Sequence, residues 1–143
     1  MKKSMQDERG VDFLGMRLAI VLAAAALLIA IAGTYVERQV YEASKEEARR
    51  EAGRIAAMAS AEYASGCPGS VAALSVQIPS SARRVSYGLE EARAYTIEFS
   101  DGTNETYTAA CSFLPAVLYP GRHTLELEVL KNGECAVGIR EAC

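Results

Sequence analysis

The chain has 143 residues, 50% of them hydrophobic, with a formal net charge of −3 and no tryptophan. That length sets a prior of one domain, and the lack of a basic patch with interleaved aromatics argues against a nucleic-acid partner. A near-neutral mean hydropathy hides an uneven chain, uncharged from Leu18 to Val36 and rich in charge beyond Val36.

The first predicted element is apolar. Leu18 to Val36 is 19 residues long, and a helix needs about 20 apolar residues to cross the hydrocarbon core of a bilayer. A secretory signal has an apolar core of about 7–15 residues and then a small-residue cleavage site. This run is longer, and it passes without a breaker into "AGTYVERQVYEASKEEARREAGRIAAMASAEY". A membrane-inserted helix is the expectation; a signal removed near Gly33 or later is the alternative. Lysines and arginines are balanced on the two flanks, so the positive-inside rule does not orient the segment. The four cysteines, all beyond the run, place the C-terminal part outside, as does the sequon Asn104-Glu105-Thr106, a candidate N-glycosylation site at Asn104.

The second half of the helix is predicted to be amphipathic. No proline precedes Pro68, so one helix can run from Val11 to Ser65, roughly 80 Å at 1.5 Å per residue. Val36, Val40, Ser44, Ala48, Ala52, Ala56, Met58 and Ala59 recur along one side, mostly small. Glu46, Glu47, Arg50, Glu51 and Arg54 are expected on the opposite, solvated side. The small stripe allows close approach either of the chain's own sheet or of a neighbouring helix. Asp12 and Arg17 flank the apolar start, where long side chains reach back to water.

"GCPGS", residues 66–70, ends the helix, and the apolar period then changes to two. "VAALSVQIP", "RRVSYG", "AYTIEF", "ETYTAACSF", "TLELEVL" and "CAVGIR" are predicted strands. Asp101-Gly102 and Asn132-Gly133 are expected to make type I′ hairpin turns, and Pro120-Gly121 a type II turn. In "TLELEVL", Leu125, Leu127 and Val129 should face a core while Glu126 and Glu128 face water. The expected fold class is α+β: a long N-terminal α-helix, apolar then amphipathic, followed by a small antiparallel β-sheet or sandwich.

Cys67, Cys111, Cys135 and Cys143 form an even set on one side of the apolar segment, which points to disulfides in an oxidising space. Free structural thiols are the alternative, and the pairing is open. A zinc site is disfavoured because there is no C-x-x-C pair and His123 is the sole histidine. No nucleophile motif, phosphate loop or metal spacing is present, so no enzyme and no cofactor are expected.

A short charged leader ending in Arg9-Gly10, a helix that is apolar then amphipathic, and a small cysteine-bearing β domain together resemble the type IV pilin superfamily, in particular archaeal pilins and archaellum-like subunits. The resemblance implies a class III signal peptide, cut by a leader peptidase between Gly10 and Val11 in "DERG/VDFLG". It implies segments 1–10 as leader, 11–65 as helix and 66–143 as extracellular β domain. Gly15 stands at the fifth mature position, where bacterial pilins carry Glu; archaeal members often lack that Glu. The mature helices of such proteins leave the bilayer and bundle with copies of the same chain, here through Leu18, Leu22, Leu27, Ile31, Val36 and Val40. The implied function is a subunit of a surface filament for adhesion or motility. The alternative is a single-pass anchored protein displaying its β domain toward a surface-layer protein, glycan or archaellum-associated partner.

Overall fold

The computed structural model describes residues 2–132 and 134–142, with side chains described over 13–131 and 135–142. It comprises one helix, α1 (Lys2–Ser65), and seven strands: β1 (Val71–Ile78), β2 (Ala82–Tyr87), β3 (Ala94–Phe99), β4 (Asn104–Thr108), β5 (Ala116–Leu118), β6 (Gly121–Asn132) and β7 (Glu134–Glu141). The α+β class read from the sequence holds. The long apolar helix followed by antiparallel sheets is compatible with a pilin-like fold.

The absence of proline and the run of good helix formers carry α1 unbroken to "GCPGS". It stops at Gly66, whose φ of +69° is the left-handed cap position that a glycine fills without strain. The Gly66 amide donates to the Tyr63 carbonyl at 3.1 Å and closes the last turn. The chain falls into two compact units, Met1–Val40 and Tyr41–Cys143, so the last part of α1 groups with the strands.

In the second unit the strands form two antiparallel sheets, ordered β1-β6-β7 and β4-β3-β2-β5. β6 is the centre of the first sheet, pairing Leu74 with Leu125 on β1 and Val129 with Val137 on β7. Period-two alternation is obeyed where it was expected. Leu125, Leu127 and Val129 are buried, while Glu126 and Glu128 lie on the half-exposed side. The cover over this apolar face includes α1 itself. Ala48, Ala52, Ile55, Ala56 and Ala59 share one core cluster with Leu74, Val76 and Ile78 of β1, Val85 and Tyr87 of β2, and Ile97 and Phe99 of β3. The small stripe is thus occupied by the chain's own sheets from Ala48 to Ala59.

Four expectations are corrected. The 101–102 hairpin is not type I′: among the described residues no non-glycine residue has positive φ, and only Gly102 (φ +87°) does so here. The Gly102 amide donates to the Phe99 carbonyl, and Phe99 N to Thr103 O, the pattern of a tight turn followed by a glycine bulge. Asp101 therefore keeps an ordinary φ and uses its carboxylate to accept from the Thr103 amide and hydroxyl. The strand expected through "ETYTAACSF" ends at Thr108, because the chain bends at Ala110–Cys111. The three-residue β5 was not anticipated; between Pro115 and Pro120 it is too short to show a period. Glu51, expected in solvent, is buried at the flank of α1, where Arg54 lies 3.6 Å away. The Asn132-Gly133 turn lies outside the described residues.

Candidate functional site

The first unit offers the most unusual surface. Leu18, Leu22, Leu27, Ile31, Val36 and Val40 are each between 57% and 63% exposed. They are joined by Phe13, Leu14, Ile20, Val21, Leu28 and Ile29, which are exposed as well. By length and composition the helix from Phe13 can cross a membrane, and its most apolar stretch has no burial within the chain. Nonpolar surface of this extent is expelled by water and is stable only when something else covers it. Arg17 lies with its guanidinium 4.6 Å from the centre of the Phe13 ring, a cation–π contact that lets a charge sit beside apolar neighbours. Thr34 donates its hydroxyl to the Ile31 carbonyl at 2.9 Å, which removes a free polar group from the segment. The helix is continuous through Gly10–Val11, and the Val11 side chain lies outside the described residues.

The second unit carries a polar cluster along one flank of α1. Lys45 is buried against Phe99, with Nζ 4.7 Å from the ring centre and 2.8 Å from Asp101 Oδ2. Hydrogen bonding to Lys45, then to Thr103, holds the Asp101 carboxyl well below the usual carboxylate range; the same bond to Asp101 raises Lys45. Four residues on, Arg49 donates from Nε and Nη2 to both oxygens of Glu105, each at 2.8 Å. Those bonds, with a further one from the Tyr107 hydroxyl, lower the Glu105 carboxyl to about 2. Each acid is thus matched by a donor. The cluster ties α1 to the β3–β4 hairpin. The sequence pattern had pointed only to solvated charges on this helix, because Lys45 and Arg49 sit at its flank and their partners are some 56 residues away.

The remaining sites named from the sequence are scattered. Asn104 is exposed at the start of β4, and Thr106 Oγ1 lies 2.9 Å from Thr96 Oγ1. Cys67, Cys111 and Cys135 are unbonded thiols, contrary to the disulfide expectation for these three. The local reason is that Cys67 is turned to solvent while Cys111 is fully buried, its Sγ 3.6 Å from Ser60 Oγ. Cys143 lies outside the described residues. His123 Nε2 is 2.7 Å from the Tyr119 carbonyl and Nδ1 faces Glu141. Among the described residues no cluster of His, Cys, Asp and Glu has the arrangement of a metal site.

These features define an α+β protein with one exposed helix long and apolar enough to cross a membrane. No family model, no curated protein and no solved structure matches this chain.

Proposed function

We propose that the chain is a structural subunit of an extracellular, type IV pilus-like filament. It is inserted in the membrane before assembly, with its N-terminus inside and its β unit outside. A leader peptidase cuts between Gly10 and Val11. The mature helices bundle with copies of the same chain, and the β domain faces outward for adhesion or motility. The observation that carries this reading is the exposed apolar side-chain set from Phe13 to Val40. Because Ala48–Ala59 already pack on the chain's own strands, helix-to-helix packing between subunits is assigned to residues 11–40.

The same exposed helix supports a second reading, in which it stays in the bilayer and the β unit binds a surface-layer protein, glycan or other membrane component. Peptide mass spectrometry of native material, paired with electron microscopy, separates the two. The filament reading expects a mature N-terminus at Val11 and filaments containing this chain. An intact Met1 leader in surface material, or protein confined to membranes, would refute it.

A further inference from the structure

We propose that Asp101-Gly102 is a latent isoaspartate site, a backbone modification that the contact from Lys45 holds in check. Asp101 is the one aspartate of the chain followed by glycine. Glycine has no side chain, so its amide nitrogen is the least hindered for attack on the neighbouring carboxyl. Asp101, Gly102 and Thr103 are all exposed at the tip of the β3–β4 hairpin, so water reaches the junction. An exposed Asp-Gly pair ordinarily cyclises; here the folded chain occupies both reacting groups.

The reaction balances with water as its only co-reactant. The Gly102 nitrogen attacks Asp101 Cγ, a C–N bond forms, and one carboxyl C–O bond breaks. The departing oxygen leaves as water, carrying the amide proton and the carboxyl proton, and a cyclic succinimide remains. Water then opens that ring. Addition at Cγ restores aspartate. Addition at the former main-chain carbonyl gives isoaspartate, with the chain running through Cβ and Cγ. The product has the starting mass, but the turn is longer by one carbon and the free carboxylate sits on the other arm.

The contacts on the page oppose the first step from both sides. The nucleophile is committed: the Gly102 amide donates to the Phe99 carbonyl at 3.0 Å, a bond that must break before the nitrogen can turn toward Cγ. The electrophile is pinned: Oδ2 lies 2.8 Å from Lys45 Nζ, and Oδ1 accepts from the Thr103 amide at 2.9 Å and from the Thr103 hydroxyl. Loss of water also needs the carboxylic acid, and the bonds from Lys45 and then Thr103 hold the Asp101 carboxyl well below the usual carboxylate range, in its ionised form. Lys45 is a firm anchor because it is itself fixed, buried with its Nζ 4.7 Å from the centre of the Phe99 ring. Cyclisation therefore runs only through molecules in which this corner has opened locally. Once formed, isoaspartate moves the carboxylate away from Lys45, and the tie between α1 and the hairpin is lost.

The test ages the purified full-length chain in mild detergent for several weeks at about pH 5, where an ordinary aspartate keeps a protonated fraction. The same chain unfolded in guanidinium chloride is aged beside it. Trypsin then releases residues 94–122, and electron-transfer fragmentation separates isoaspartate from aspartate at position 101; deamidation of Asn104 is set apart by its added mass. Isoaspartate is expected to form at least about tenfold more slowly in the folded chain than in the unfolded one, as reaction through local opening requires. Lys45→Met should quicken it about threefold in the folded chain, and Thr103→Val, which keeps the Lys45 contact, by less; near-ultraviolet dichroism checks that each variant is folded. Equal rates in the folded and unfolded parent chain, or a folded variant of either kind that ages no faster than the parent, would overturn the proposal. The readout does not depend on membrane insertion or filament assembly.

Discussion

Replacing Ile55 with alanine asks whether the second half of α1 is held by the β unit or merely accompanies it. Ile55 is fully buried in the cluster it shares with β1, β2, β3 and β6. Ile55→Ala removes three carbons, each worth about 0.8 kcal/mol of burial, or about 2.4 kcal/mol. Incomplete collapse of the resulting cavity adds to this, giving an expected loss of about 3 kcal/mol, within the range of about 2–5 kcal/mol for such truncations. Urea unfolding of the full-length chain in mild detergent, followed by near-ultraviolet dichroism of the buried Tyr87 and Tyr95, reads this loss as a lower midpoint with an unchanged slope. Leu27→Ala is the internal control: Leu27 is exposed in the first unit, so it should move the same transition by less than about 0.5 kcal/mol. Equal midpoints for Ile55→Ala and the parent chain would refute the packing argument.

Two further outcomes follow from named contacts. Gly88 has φ +65°, and a β-carbon there would come within 2.6 Å of the Phe113 carbonyl oxygen; Gly88→Ala should cost about 3 kcal/mol in the same urea assay, combining left-handed strain with the clash. Gly102→Ala, also at positive φ but in open space, should cost about 1–2 kcal/mol, and equal losses would sink the close-approach part of the reasoning. The folded carboxyl of Glu105, at about 2, lies below the 4.5 of an ordinary glutamate, so its contribution is present above about pH 4.5 and is lost as pH falls toward 2. The thermal midpoint should therefore drop more steeply through that window in the parent chain than in Arg49→Met, with Arg49→Met costing about 1 kcal/mol at neutral pH for this solvent-screened pair; parallel pH profiles would refute the assignment.

Much of the fold was legible because its periods are clean. The charge-free run, the lack of proline before Pro68 and the alternation in "TLELEVL" each dictate one element. What stayed hidden depends on long-range geometry. The small stripe is equally suited to a sheet or a helix, and only the packing of Ala48–Ala59 against the strands decides between them. The Asp101-Gly102 dipeptide is compatible with more than one hairpin turn, and Asp101 is drawn into an ordinary φ by bonds to Thr103 and Lys45. Lys45 and Arg49 carry no local mark of their acidic partners. The isolated bridge between Phe113 and Val137 joins stretches with no shared motif. The exposed apolar helix was the most legible part of the candidate site, since composition alone defines it.

The alanines of α1 that face the strands impose an asymmetry on sequence drift. A face built of Ala48, Ala52, Ala56 and Ala59, all buried, has almost no side chain left to trim. Apart from glycine, which weakens the helix itself, every replacement there is an enlargement that wedges the sheets away from the helix. Variation is correspondingly free on the outward side, at Glu47, Arg50, Ala57 and Ala61. Related chains can therefore restyle the exterior of this helix extensively while its inner face remains nearly fixed.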